Sequence, residues 1–88
     1  MDMFTVRSED YGELQRVVDA IFRPGVSSRA TVSKLDVIML AEPFDLCDDL
    51  AEVIDLLPSR NFTRMSLCDQ MNSIISGHGW GGVYGTVE

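Results

Sequence analysis

The chain has 88 residues, 45% of them hydrophobic and 24% charged, which is the composition of a folded globular protein and not of a disordered one. A chain of this length builds one hydrophobic core, so we predict a single domain over residues 1–88. The formal net charge of −7 at pH 7 opposes direct contact with duplex DNA or with an anionic membrane.

Residues 1–10 lack the basic stretch and apolar core of a secretory signal, and the longest unbroken apolar run covers residues 37–41. A membrane span is therefore not expected, and we predict a cytoplasmic protein. Cys47 and Cys68 fall on the apolar sides of predicted helices, which is typical of buried reduced thiols. A disulfide between them stays open as an alternative.

Residues 2–6 alternate weakly between apolar and polar side chains and predict a short strand. Ser8 is then placed to cap a helix over about residues 9–23, which Pro24 and Gly25 end. The apolar residues of this helix recur at spacings of three and four, as in a buried stripe. They are Tyr11, Leu14, Val17, Val18, Ile21 and Phe22.

A second, shorter helix is predicted over about residues 34–41, where Ser33 and Asp36 have the spacing of a capping box. The same apolar run also fits a buried strand over residues 35–40, because periodicity alone does not distinguish the two in a short run. Pro43 disfavours helical angles at the residue before it, so we expect the chain to break there and to restart into a third helix.

The third predicted helix, over residues 43–57, has one apolar and one acidic side. The apolar side consists of Phe44, Cys47, Leu50, Val53, Ile54 and Leu57. The acidic side consists of Asp45, Asp48, Asp49, Glu52 and Asp55, with no Lys or Arg among them. Carboxylates three or four positions apart on a helix repel by roughly 0.2–0.5 kcal/mol per pair. A face kept in spite of this repulsion is either solvated for solubility or a docking face for a basic partner.

Thr63 is placed to cap a fourth helix over about residues 64–76, which the following glycine ends. In the glycine-rich tail, residues 77–88, Gly81 and Gly82 fit a two-residue hairpin turn, in which both positions need positive φ.

The tail is also placed to pair with the strand predicted over residues 2–6. The predicted fold class is therefore mainly α: a small bundle of about four helices with a short terminal β-hairpin or two-stranded β element.

Residues for catalysis or metal binding are few, since the chain has one histidine and two cysteines. A pair of Cys68 and His78 is a poor candidate, because Cys68 lies on an apolar helix side, where thiols are inert. Residues 45–49 lack the loop order of a calcium hand, and the run GHGWGG lacks that of a phosphate-binding loop. We therefore expect a non-enzymatic protein with no metal and no cofactor.

The preferred hypothesis is an inhibitor or adaptor that docks its acidic helix on a basic surface of a nuclease or another nucleic-acid-handling complex. Small acidic nuclease-immunity, antirestriction and anti-CRISPR proteins are the functional classes with which it shares charge and size. Carboxylates spread over about 15 Å of helix would also approach the charge spacing of a DNA strand. The predicted partner-binding residues are Asp45, Asp48, Asp49, Glu52, Asp55 and Trp80, the last as an anchor that is either packed on the core or exposed.

The alternative hypothesis is a nucleic-acid-binding regulator. The third and fourth predicted helices and the glycine-rich hairpin together resemble a winged helix-turn-helix over about residues 49–87. That resemblance implies that Arg64, Gln70 and Asn72 face the nucleic acid. Arg60 and Arg64 are the only bases in this half of the sequence, whereas phosphate contacts generally need several.

Overall fold

The computed structural model describes residues 7–88, so the strand predicted over residues 2–6 lies outside the described residues. Within residues 7–88, five α-helices, one 3₁₀ turn and two short strands follow one another. In chain order they are α1 (Glu13–Ile21), β1 (Val32–Ser33), α2 (Lys34–Ala41), the 3₁₀ turn (Glu42–Phe44), α3 (Asp48–Asp55), β2 (Asn61–Phe62), α4 (Arg64–Gly77) and α5 (Gly81–Tyr84).

Helix α1 begins later than predicted, because the residues before it form turns. The Asp10 amide donates a 3.1 Å hydrogen bond to the Ser8 hydroxyl oxygen, and Gly12 enters the helix with a φ of 87°. The predicted apolar stripe is wrong at Tyr11, which precedes α1 and is 41% exposed. It is confirmed at its other members, which are Leu14, Val17, Val18, Ile21 and Phe22.

Helix α2 has the predicted bounds and the predicted capping box. The Asp36 amide donates to the Ser33 hydroxyl oxygen over 3.1 Å, and the Ser33 amide donates to the Asp36 carboxylate over 3.0 Å. The alternative of a strand over residues 35–40 is therefore wrong. Val37 and Ala41 are the buried residues of this helix, which leaves its other apolar side chains at the surface.

The prediction of one continuous helix over residues 43–57 is wrong. Pro43 is accommodated in the 3₁₀ turn that follows α2, since the first turn of a helix does not need its missing amide hydrogen. The break comes instead at Asp45, whose φ of 48° is left-handed, and Cys47 is the N-cap residue of α3. Aspartate is one of the few residues besides glycine that adopt this conformation routinely.

The predicted fold class is confirmed, since residues 7–88 are mainly helical and contain a two-stranded antiparallel sheet. In this sheet Val32 lies opposite Phe62, and Ser33 lies opposite Asn61. The pairing ties the segment before α2 to the segment before α4. The β element is therefore internal and not part of the tail.

The hairpin predicted in residues 77–88 is wrong, because Gly81 and Gly82 begin α5. The amides of Val83 and Tyr84 both donate to the Trp80 carbonyl, over 3.0 and 2.9 Å. A type I′ turn needs positive φ at both central residues, and neither of these glycines has it.

The hydrophobic core is one cluster to which α1, α2, α3 and α4 all contribute. Phe62 of β2 is completely buried in it, and so is Leu67, which follows the Thr63 capping box at the start of α4. Cys68 is buried and Cys47 is half-buried, and both are free thiols. Helix α4 confirms the predicted fourth helix.

The end of the tail is bound by two side-chain amides, one on α4 and one on α1. Asn72 donates to the Val87 carbonyl and accepts from the Val87 amide, both over 2.8 Å. Gln15 forms the same pair of bonds with the main chain of Glu88, also over 2.8 Å. The main-chain groups of Val87 and Glu88 are thereby satisfied without a neighbouring strand.

Candidate protein-interaction surface

The acidic residues predicted to bind a partner lie on and just before α3. Asp48, Glu52 and Asp55 are exposed at spacings of four and three residues, so they lie on one side of the helix. They span about 10 Å of helix. Asp45 is exposed but precedes α3, so the prediction that one helix carries all five carboxylates is wrong.

Asp49 is turned away from that row toward the tail. Its carboxylate accepts a 2.6 Å hydrogen bond from the Tyr84 hydroxyl, and both side chains are half-buried. This bond raises the pKa of Tyr84, and burial raises it further. Asp49 therefore joins α3 to α5.

Glu52 and Trp80 belong to the same internal contact. The Glu52 carboxylate lies 3.1 Å from Nε2 of His78, whose ring stacks on Trp80 with centroids 4.2 Å apart. Trp80 meets Tyr84 edge to face at 5.7 Å and packs against the core, so it is half-buried and held in place. We call Asp49, Glu52, His78, Trp80 and Tyr84 the tail clasp.

A groove between α2 and α3 brings the remaining acids next to apolar side chains. Its volume is about 320 Å³. The buried Ala41 and Ile54 form its floor. Its other lining residues are Ile38, Glu42, Asp45, Leu46, Ala51 and Asp55. Within residues 7–88 none of its three carboxylates forms an ion pair with Lys or Arg.

The outer side of α2 carries an apolar stripe, which consists of Leu35, Ile38 and Met39. Leu35 and Met39 are 63% and 61% exposed, and Ile38 is 41% exposed. Sequence reasoning missed this surface, although residues 37–41 are all apolar and a helix that is apolar all round cannot bury every side in a small domain.

The residues that the winged-helix resemblance assigned to nucleic acid are engaged within the protein. Arg64 donates to Asp19 over 2.7 Å and to the Phe22 carbonyl over 3.2 Å, and it holds the pKa of the Asp19 carboxyl below its usual range. Gln70 accepts from Arg60 over 3.1 Å. Asn72 holds the tail, and the segment predicted as the wing is helical.

The side chains of Cys68 and His78 do not form a reactive pair. Burial raises the pKa of the Cys68 thiol. The Nδ1 atom of His78 lies 2.9 Å from the Ile74 carbonyl, and Nε2 faces Glu52. Among the described residues no three His, Cys, Asp or Glu side chains are grouped to hold a metal ion. In residues 7–88 no helix has the length and apolar character to cross a membrane.

Comparison with protein-family models, with curated proteins and with solved structures found no match. The groove, the row of acids on α3 and the apolar stripe are therefore the features from which a function is argued.

Proposed function

We propose that the chain is a non-enzymatic protein-binding module, an inhibitor or adaptor that docks its acidic α3 side on a basic surface of a nucleic-acid-handling protein. The observation that carries the proposal is the α2–α3 groove. It places Glu42, Asp45 and Asp55 beside an apolar floor, and within residues 7–88 none of these carboxylates forms an ion pair with Lys or Arg. Lys34 donates to the main-chain carbonyl of Asp55 and not to its carboxylate.

The groove lining supports a protein partner because it combines two kinds of contact. Apolar side chains such as Leu46 and Ile54 supply the burial that drives association, and the carboxylates around them select a cationic partner. A groove of about 320 Å³ accommodates a few side chains of a partner.

The charges outside the groove support a basic partner surface. Asp48 lies outside the groove and extends the negative field along α3, and residues 36–55 contain seven acids and no Lys or Arg. Such a field accelerates association with a positively charged partner. Proteins that bind nucleic acids carry such surfaces, because they neutralise phosphates with Lys and Arg.

The test is affinity capture from the native host at low and at high salt, with two variants of equal net charge. The groove variant is Asp45→Asn with Asp55→Asn, since asparagine also adopts the left-handed conformation of residue 45. The control is Glu9→Gln with Asp69→Asn, which neutralises two exposed acids outside the groove.

We expect a basic protein that wild type and control retain at low salt and that high salt releases. The groove variant should retain it about tenfold less. Equal retention by both variants contradicts the proposal. Recovery of DNA with the purified wild-type protein would support the nucleic-acid-binding regulator instead.

A further inference from the structure

The apolar stripe on α2 lies between a basic residue, Lys34, at the start of the helix and an acidic residue, Glu42, just after its end. Glu42 has helical backbone angles, φ −56° and ψ −44°, so it continues the stripe one turn beyond Ile38. At the other end, Lys34 and Arg60 line a depression of about 480 Å³ together with Leu35 and Ile38. The outer side of α2 is therefore basic at its start, apolar in the middle and acidic at its end.

This surface is larger than the single exposed apolar residues that any protein carries. Three apolar side chains at spacings of three and one share one side of a two-turn helix, and two of them are more than 60% exposed. Within residues 7–88 no element covers them. An apolar patch with a charged rim is the usual mark of a protein interface.

We propose that the surface is covered by a second copy of the chain, packed through α2 about a two-fold axis at Ile38. With this axis perpendicular to α2, the two helices run antiparallel and each contact occurs twice. Lys34 precedes Ile38 by four residues and Glu42 follows it by four. Lys34 of each copy therefore comes opposite Glu42 of the other, and each Met39 lies over the depression beside the other Leu35.

The charges at the two ends of α2 favour an antiparallel second copy over a parallel copy and over a uniformly basic partner. Parallel copies would bring Lys34 against Lys34 and Glu42 against Glu42, which costs free energy. A uniformly basic partner segment would meet Glu42 favourably but would be repelled by Lys34 and Arg60. The repulsion between two chains of charge −7 is screened beyond about 10 Å at roughly 0.1 M salt, whereas the paired ends are in contact.

The contact is small, because α2 has eight residues and is about 12 Å long. Interfaces below the standard size are typically transient, so the dimer forms with a Kd on the order of micromolar or weaker. Ile38 and Glu42 belong both to this contact and to the groove lining, so the dimer covers one edge of each acidic groove and leaves Asp45 and Asp55 outside the contact. The inference does not depend on what those grooves bind.

Sedimentation velocity of the full chain over about 1 µM to about 1 mM tests the dimer. We expect the wild type to pass from monomer to dimer in this range. Leu35→Ser with Met39→Ser should remain monomeric throughout. The control is Met65→Ser, since Met65 is 76% exposed on α4 and away from the stripe, and this variant should dimerise as the wild type does. A monomeric wild type, or a stripe variant that still dimerises, overturns the proposal.

A charge exchange tests the antiparallel arrangement separately. Lys34→Glu places an acid at the start of α2 and Glu42→Lys places a base at its end, and both changes agree with the helix dipole. Lys34→Glu also removes the 2.6 Å hydrogen bond that Lys34 donates to the Asp55 carbonyl, so a thermal melt first establishes that each variant is folded. Each variant alone should dimerise at least about tenfold more weakly, because like charges meet at both ends. An equimolar mixture should recover the wild-type affinity. A mixture that associates no better than its components overturns the antiparallel pairing.

Discussion

The hydroxyl of Tyr84 donates a 2.6 Å hydrogen bond to the carboxylate of Asp49, and this bond fastens α5 to α3. Asp49 is an acid that the sequence assigned to an external partner, yet its partner in the structure lies 35 positions further along the same chain. A phenol that donates to a carboxylate resists ionisation, which is why the pKa of Tyr84 is raised.

The first prediction concerns this bond at alkaline pH. The folded-state pKa of Tyr84 lies above the unfolded value of about 10, so its contribution to stability is complete below about pH 10 and is lost as the pH rises further. In a Tyr11→Phe background, the tyrosinate absorbance reports Tyr84 alone. We expect Asp49→Ala to lower the pKa of Tyr84, and Asp48→Ala, the control of equal charge, to leave it unchanged. Equal titration curves for both variants would contradict the assigned cause.

The second prediction concerns the loss of thermal stability at acidic pH. Hydrogen bonds from Arg64, and then from Gln15, lower the pKa of Asp19 in the folded state. The stability they contribute is present above the unfolded pKa of about 3.9 and is lost as the pH falls through the lower folded value. Asp19→Asn should therefore flatten the loss of thermal stability below about pH 4. Asp69→Asn is the control, and a loss of stability at acidic pH as steep in Asp19→Asn as in this control would refute the prediction.

The third prediction concerns the backbone at Gly85. Its φ of 85° and ψ of 159° fall in a region that only glycine adopts without strain, and a Cβ there would lie 3.2 Å from Cζ of Tyr11. Gly85→Ala should lower the free energy of unfolding by about 1–3 kcal/mol in urea denaturation. The same change at Gly77, which ends α4 and has no atom within 4 Å of an added Cβ, should be neutral or stabilising. The prediction fails if the two variants are equally stable.

The fourth prediction separates two acids of α3. Asp55→Asn removes repulsion with Glu52 and breaks no side-chain contact seen within residues 7–88, so it should raise the free energy of unfolding by roughly 0.2–0.5 kcal/mol. Glu52→Gln also relieves repulsion but loses the 3.1 Å contact with His78, an exposed pair that contributes at most about 1 kcal/mol. We expect this variant to be no more stable than the wild type. Urea denaturation at neutral pH that ranks Glu52→Gln above Asp55→Asn would count against the His78 contact.

The local signals in the sequence were sufficient where a few neighbouring residues decide the structure. The spacing of Ser33 and Asp36 predicted the capping box of α2, and Thr63 predicted the cap of α4, so the beginnings of two helices followed from the sequence. The period of the apolar residues predicted the buried sides of α1 and α3. These features depend on contacts within one turn of helix, so no knowledge of the tertiary structure was needed.

The predictions from sequence were wrong where tertiary contacts determine the local backbone conformation. Pro43 was expected to break the chain, but the 3₁₀ turn accommodates it and the break moves to Asp45. The glycine pair after Trp80 was read as a hairpin, whereas the helical spacing of Trp80 and Tyr84 lets both rings pack in the tail clasp. Neither Asp49 nor Glu52 carries any local sign that its partner would be Tyr84 or His78.

The amides of Gln15 and Asn72 give the tail a particular place in the order of folding. Gln15 and Glu88 are 73 positions apart, so their contact closes a loop whose entropic cost must be offset by contacts formed earlier. Helices α1 and α4 each form from local contacts. Only when the two helices have packed together do the side-chain amides of Gln15 and Asn72 lie where they can bind Glu88 and Val87. We therefore expect the Val87 amide to exchange its hydrogen through local opening of the tail, while the amide of the buried Val17 exchanges only when the whole domain unfolds.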